Sequence, residues 1–355
     1  MIPCGPCARP LSCRQGRTST LNAPAFRPKR AVLNAYLLVS MALVSSCTSG
    51  QSDSAAGRRF TLGVIPGAQD FITFVMESQG LFEKYDLHPE KIQMLRPASL
   101  HLMIAERRVD VGFAGFTTMA IARSQGKDVI VIHGIFSPVN LVFVPHDSPL
   151  RSLADLKGKK LGIFGGPGSA TLTFLSVIAK QWYGLDVLES MEVVSAPGPA
   201  LAHLLDQGEV DAALMGTTES LKFGARRTYR VLVDLSGEYK KHHGRAPAHV
   251  TVATNEAFST AHPDVLEDFL KVYQEAVTYV RSHPDIWADY GKQIDMAGEA
   301  DVAALREKMA PSLVSEWDAT QIELQTEYLK LAQEVLGENV LAAIPEDLIR
   351  DDFNP

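Results

Sequence analysis

The sequence predicts an α/β protein of two lobes, each built on a mostly parallel sheet with flanking helices. The main observation is an internal repeat. The segments FTLGVIPGAQDFITFVMESQGL, from Phe60, and KKLGIFGGPGSATLTFLSVIAKQWYGL, from Lys159, share one order of features. Each has a strand-like apolar run, a Gly/Pro turn, a helix-like apolar run and a final Gly-Leu. Short glycine-rich turns between such runs are typical of parallel sheets with helices on both faces.

A second pair of segments extends the repeat. RRVDVGFAGFTTMAIARSQGKDVIVI, from Arg107, matches GEVDAALMGTTESLKFGARRTYRVLVDL, from Gly208. Each half therefore alternates strands and helices. Because ligands of such sheets bind beyond the carboxyl ends of the strands, the expected binding site is a cleft between the lobes.

Two crossing segments divide the chain. We assign residues 59–145 and 246–355 to the first lobe and residues 146–245 to the second lobe. The crossings would lie in Asn140–Leu150 and Ala246–Phe258, and two crossings allow hinge closure around a ligand. The last hundred residues have a helical pattern interrupted by prolines, and we expect them to pack on the first lobe.

The first 47 residues have the layout of an export signal. A basic stretch precedes an apolar run from Ala31 to Val44, which is too short for a comfortable transmembrane helix. Val44-Ser45-Ser46-Cys47 resembles the bacterial lipobox, in which the cysteine becomes lipid-modified. We predict a signal peptide over 1–47, lipidation of Cys47, a flexible tether over 48–58 and an exported, membrane-anchored protein. An uncleaved N-terminal anchor is the alternative.

Charge and cysteine content exclude several functions. The net charge is −7, and the six positive charges of the first 46 residues leave −13 for the rest, so a nucleic-acid partner is not expected. All four cysteines lie within the first 47 residues, which leaves no disulfide or thiolate metal site for the two lobes. Cys4-Gly5-Pro6-Cys7 matches a redox motif, but no strand precedes it. No HExxH or GxSxG motif is present, so neither an enzyme, nor a metal, nor a cofactor is expected.

The turns that follow the predicted strands supply the candidate ligand-binding residues. The loop from Gly166 to Thr171 offers backbone N–H groups at a helix start, which favours anions. Ser169 and Asp70 could instead serve only as helix N-caps. The candidate residues are Gln69, Asp70, Phe71, Arg96, Ser99, Phe116, Thr117, Gly168, Ser169, Thr171, Thr217 and Glu219.

The side chains of these turns point to more than one solute class. Phe116 is the best candidate for an aromatic wall, although core packing is the alternative for it and for Phe71. Arg96 could pair with a carboxylate or sulfonate, or could be a solvated charge at the rim. Glu219 opposes a simple anion if it faces the cleft. A zwitterionic or heterocyclic solute is therefore as plausible as a plain anion.

Five segments in this order resemble the type II periplasmic binding proteins of ATP-driven (ABC) importers, within the branch that binds nitrate, sulfonates, taurine or pyrimidine precursors of thiamine. The resemblance covers roughly residues 60–350. It implies a monomer that captures a small solute and delivers it to permease and ATPase subunits. The segments are GLFEKYDLHPEKI, ERRVDVGFAG, SLADLKGKKLGI, GEVDAALMGTTES and HPDVLEDFLKVYQEA.

Two other functions stay open. Pyrimidine-precursor synthases and some menaquinone-pathway enzymes have a similar fold. They are expected in the cytosol, whereas the lipobox-like sequence indicates export. A solute sensor that acts on a signalling partner is the third possibility. The sequence does not identify the solute.

Overall fold

The computed structural model describes residues 58–166, 168–224 and 226–354. The signal peptide predicted over 1–47, the lipidation predicted at Cys47 and the tether, apart from its last residue, lie outside these residues. Within them the chain forms ten strands. In chain order these are β1 (Arg59–Val64), β2 (His88–Gln93), β3 (Val111–Gly115), β4 (Val129–Phe136), β5 (Leu141–Pro145), β6 (Lys160–Ile163), β7 (Glu192–Ser195), β8 (Ala212–Leu214), β9 (Tyr229–Asp234) and β10 (Val250–Asn255).

The α-helices of the described residues lie between most successive strands up to β10, except around β5, and the chain after β10 is mainly helical. In chain order they are α1 (Phe71–Ser78), α2 (Leu81–Lys84), α3 (Pro97–Ala105), α4 (Phe116–Ser124), α5 (Ala170–Tyr183), α6 (Val187–Ser190), α7 (Gly198–Asp206), α8 (Thr217–Gly224), α9 (Leu235–His243), α10 (Glu256–Ala261), α11 (Pro263–Ser282), α12 (Ile286–Gln293), α13 (Glu299–Met309) and α14 (Ala319–Leu336). Among the described residues, none of the helices combines the length and the apolar character needed to cross a membrane.

The strands form two five-stranded sheets with matching topology. Their orders are β2-β1-β3-β10-β4 and β7-β6-β8-β5-β9. In each sheet the fourth strand, β10 or β5, runs antiparallel to both neighbours, whereas the other adjacent pairs are parallel. The two-lobed, mostly parallel α/β fold predicted from the repeat is confirmed. In both sheets the reversed strand is the one that enters after a crossing from the other lobe.

The first crossing lies earlier than the sequence indicated. Strand β5 pairs with β8 and β9 in the second sheet, so residues 141–145 belong to the second lobe and the limit predicted at residue 145 is wrong. The crossing therefore occupies the few residues between β4 and β5. An apolar run such as Leu-Val-Phe-Val shows that a strand is buried but not which of two similar sheets it joins.

Helix α11 forms much of the outer layer of the first lobe. Pro263 stands in its first turn, where the missing N–H costs no hydrogen bond. Buried side chains recur at three- and four-residue intervals, for example at Val265, Leu266, Phe269 and Tyr273, and they pack in one core with α1 and α2. This helix therefore stabilises the first lobe around β1 and the turn that follows it.

Helix α14 departs from the expectation that the last hundred residues pack on the first lobe. It packs mainly along α5 of the second lobe, where Tyr328 lies 5.1 Å from Phe174 between ring centroids. Gln325 also holds the returning crossing, because its side chain bonds both the N–H (2.6 Å) and the C=O (3.1 Å) of Ala248. The C-terminal region thus bridges both lobes, since the apolar face of α14 fits the core that they share.

Candidate functional site

The turns after the parallel strands of both sheets meet at the boundary between the lobes. The Ala68 N–H, in the turn after β1, donates to the Thr218 hydroxyl at the start of α8, at 3.1 Å. Gly67 makes this approach possible, because its φ is +97° and a Cβ there would lie 2.6 Å from Thr218 Oγ1. Gly115, at the end of β3, lies against Ala170 at the start of α5. The structure therefore brings these predicted turns of the two lobes into contact, and a ligand cleft between them stays a prediction.

Glu219 lies at the start of α8 and packs against glycines of its own lobe. Its side chain fills the space above Gly198, where an added Cβ would lie 2.4 Å from Glu219 Cδ. Glu219 Oε2 and the Phe164 ring both border Gly216, each 3.0 Å from a Cβ built there. Glu219 and Phe164 are half-buried, and no hydrogen bond or ion pair within the described residues involves the Glu219 carboxylate. A carboxylate beside an aromatic ring is suited to a planar group that donates hydrogen bonds.

The N-terminus of α5 uses its serine as a cap. The Ser169 hydroxyl accepts the Leu172 N–H at 3.2 Å, so the N-cap alternative describes its main role. Gly168 is exposed, with nothing within 4 Å of an added Cβ. Thr171 is buried and reaches across to the first lobe, where its hydroxyl lies 3.3 Å from His249 Nε2. Of the residues predicted in this loop, Thr171 makes the contact between lobes.

Two imidazoles of the first lobe lie at this boundary. His249 stands just before β10 and is 7% exposed. His101, on α3, accepts the Gly115 N–H at Nε2 at 3.1 Å and keeps some exposed area. Burial lowers the pKa of His101 to about 4, and burial followed by the influence of His101 lowers the pKa of His249 to about 4. Both rings are therefore neutral at neutral pH.

Asp70 and Phe71 were predicted to face the ligand, and the structure turns both into the first lobe. Asp70 Oδ2 pairs with Lys91 at 3.0 Å, and burial raises the pKa of the carboxyl even though Lys91 acts against that shift. Phe71 is fully buried and stacks on Trp287 with 3.9 Å between ring centroids. Both side chains have partners in their own lobe, which departs from the orientation expected, and their contact with a ligand stays a prediction.

The remaining predicted residues occupy three kinds of position. Phe116 and Thr117 are buried in the first turn of α4, in the core between the lobes. Arg96 is exposed at the rim as the residue before α3, and no ion pair within the described residues involves it. Gln69 and Ser99 are half-buried in their turns, and Thr217 is buried at the start of α8.

The residues that sequence reasoning missed are His101, Thr218 and His249. The repeat draws attention to turns, whereas His101 lies inside a helix and His249 lies in a crossing segment. Thr218 follows Thr217 in the matching segment GTTES, so the repeat gave a usable signal for it. Within the described residues, no group of three or more His, Cys, Asp or Glu side chains is placed to hold a metal ion.

The comparisons with known sequences identify a family. The sequence profile of the family described as NMT1/THI5 like matches residues 69–286, which is more than half of the chain. A candidate thiamine biosynthesis protein of Haemophilus influenzae is 29% identical over 220 residues. That match covers 59% of this chain and 65% of the relative, so the chain spans just under two thirds of the relative's length.

Solved structures share the fold. The periplasmic aliphatic sulphonate binding protein SsuA of Escherichia coli superposes with a TM-score of 0.66 at 17% identity, over 81% of this chain and 89% of that one. The alkanesulfonate-binding protein SsuA of Xanthomonas axonopodis pv. citri, bound to MOPS, gives 0.65 at 18% identity, over 80% and 96%. The CA3427 gene product of Candida albicans gives 0.63 at 17% identity, over 82% and 96%. At these identities the likeness shows a periplasmic-binding-protein fold.

Proposed function

We propose, on the premise that this chain belongs to the NMT1/THI5-like family, that it is the solute-binding protein of an ABC importer. The protein captures a small solute between its lobes and presents the closed form to a permease. The observation that carries this proposal is the contact between the turns of the two lobes. Turns from both lobes place polar groups there, and the bond from the Ala68 N–H to Thr218 spans it. Binding of this kind is a shift of the lobes toward the closed arrangement.

The walls of the cleft favour one class of solute over another. The cross-boundary contacts involve a backbone amide, threonine hydroxyls and neutral imidazoles, whereas Arg96 stays exposed on the rim. Glu219 adds a negative charge beside the Phe164 ring. In this proposal the Glu219 carboxylate faces the solute, so a sulfonate or nitrate ion would meet it without a matched cation. We therefore infer a planar solute with an amino or other N–H group, such as a heterocycle, rather than a plain anion.

We also propose that the protein is anchored to a membrane of the cell envelope. Lipidation at Cys47 would hold the receptor near its membrane permease, as the lipobox-like sequence indicates. Labelled palmitate should enter the protein in its native host and be lost in Cys47→Ala. Incorporation that persists in this variant would contradict the lipoprotein assignment without touching the solute-binding proposal.

A thermal-shift screen tests the proposed function. Aminopyrimidines and other heterocycles should raise the melting temperature, while alkanesulfonates, taurine and nitrate should not. Glu219→Gln should weaken a hit by tenfold or more, because it removes the charge from a charge-assisted hydrogen bond of about 1.5–3 kcal/mol. Glu209→Gln is the matched control, since this glutamate is exposed on the same lobe away from the cleft. Equal weakening in both variants, or stabilisation by sulfonates alone, would contradict the proposed class of solute.

A biosynthetic enzyme is the second candidate, and the name of the Haemophilus influenzae relative is the observation that favours it. The two functions separate in one experiment. A hit from the screen is incubated with the protein and then analysed by mass spectrometry. Recovery of unchanged solute supports the receptor, whereas a new product that depends on the protein supports the enzyme.

A further inference from the structure

We propose that His101 and His249 make the closure of the lobes sensitive to acid, so that a fall in pH opens the cleft. This inference goes beyond the proposed function, because it concerns the protein's own open and closed forms. His249 contacts Thr171 of the second lobe through Nε2. His101 accepts the Gly115 N–H, and Gly115 in turn lies against Ala170 of the second lobe.

The described surroundings of the two rings offer no anion to a positive charge. The Phe174 ring meets His249 edge-on at 6.1 Å between centroids, and the Thr171 hydroxyl is its polar neighbour from α5. Beside His101, Gly115 contributes a backbone amide, and the Thr118 hydroxyl borders the same glycine. An imidazolium enclosed by such groups would have lost water without gaining an anion.

No carboxylate compensates for this within the described residues. The salt bridges there include neither ring. No ionisable group shifts the pKa of His101, and His101 is the sole ionisable group that shifts the pKa of His249, which it lowers. Tyr328 of α14 packs on Phe174 from the far side, and burial raises its pKa, so it also stays neutral. The closed boundary therefore favours the neutral form of both rings.

The sign of the pH effect follows. In this proposal, opening takes Thr171 and Phe174 away from His249 and Ala170 away from the Gly115 that borders His101, so that each ring gains water and its pKa returns toward about 6.5. The closed form has the lowered pKa values, so the open form binds more protons between about pH 6.5 and 4. Closure is thus favoured above pH 6.5 and weakens as the pH falls, by on the order of tenfold per imidazole between pH 7.5 and 5.

His133 shows why the position of the two rings matters. It is another buried histidine with a pKa lowered to about 4, through burial that outweighs its bond to the Gly134 carbonyl. It packs inside the first lobe between Tyr273 and Trp317. Because opening of the lobes does not expose it, its protonation affects the stability of the first lobe and not the closure.

The test measures the distance between the lobes without any solute. Spin labels are placed by Glu106→Cys and Glu209→Cys, two exposed positions on different lobes, in the full chain with its four native cysteines replaced by serine. Electron–electron distance measurements at pH 7.5 and pH 5 should show a population with a longer distance at pH 5. The shift should be lost in the double variant His101→Gln, His249→Gln and should persist in the control His133→Gln.

Circular dichroism at both pH values shows whether each variant is folded. If the double variant does not fold, the titration of the two rings in the unaltered protein decides, by NMR of histidine-labelled chain with resonances assigned through the single variants. Ring pKa values well below 6.5 support the proposal. A distance distribution that does not change with pH, an equal shift in the double variant, or ring pKa values near 6.5 would overturn it. Since no solute is present, failure here leaves the receptor proposal standing.

Discussion

The turn after β1 and the turn after β6 occupy equivalent places in the two lobes, yet they direct their polar side chains differently. In the first lobe, Asp70 turns inward and pairs with Lys91 of its own lobe. In the second lobe, Ser169 caps α5 and Thr171 reaches His249 across the boundary. Both turns therefore contact the other lobe, but the first does so through the backbone N–H of Ala68, whereas the second does so through the side chain of Thr171.

Substitution of the aromatic side chains near the two turns should give the largest difference in the free energy of unfolding. Phe71→Ala should lower the free energy of unfolding by about 3–5 kcal/mol, because it leaves a cavity beside Trp287 in the first-lobe core. Phe164→Ala should cost much less stability, since Phe164 is half-buried, but it should weaken a bound solute. Urea denaturation and calorimetric titration measure the two effects. Equal losses of stability would mean that both aromatic rings serve mainly to stabilise the fold.

The charged partner of the first turn is the next test. Lys91→Met should lower the free energy of unfolding by about 2 kcal/mol, because it leaves the buried Asp70 carboxylate without its cation. Solute affinity should stay unchanged. Lys157→Met is the control, since Lys157 is exposed on the other lobe. A loss of solute affinity in Lys91→Met, with stability intact, would place Asp70 back in the binding site.

The cap of the second turn should give the smallest effect. Ser169→Ala should destabilise the protein by about 1 kcal/mol, because the Leu172 N–H loses its acceptor. Ser169→Asp should keep most of that stability, since aspartate is an equally good cap. If solute affinity falls in Ser169→Ala and recovers in Ser169→Asp, the cap acts on binding by holding the turn. If affinity falls in both, the hydroxyl itself contacts the solute.

The repeat in the sequence was enough to predict the two sheets, their flanking helices and turns that meet between the lobes. It did not predict where single side chains point. Asp70 pairs with Lys91 on β2. The two residues are close only because β1 and β2 pair in this register. Strand β5 was assigned to the wrong lobe, and helix α14 to the first lobe alone, for a related reason, because the apolar faces of two similar lobes look alike in sequence.

The contact region of the two histidines could not be predicted from the sequence either. His101 and His249 are separated by most of the second lobe in sequence, and neither belongs to a repeated motif. Their neighbourhood arises because α3 and the returning crossing both end near β3. A long-range contact of this kind becomes visible only once the order of strands is known.

Hydrogen exchange with and without a solute from the thermal-shift screen tests the central claim most directly. The claim is that both lobes hold the solute at the boundary between them. The account predicts slower exchange of backbone amides in residues 66–70 of the first lobe and in residues 215–219 of the second, at the same solute concentration. Protection confined to one lobe, or protection elsewhere with both turns unchanged, would contradict it.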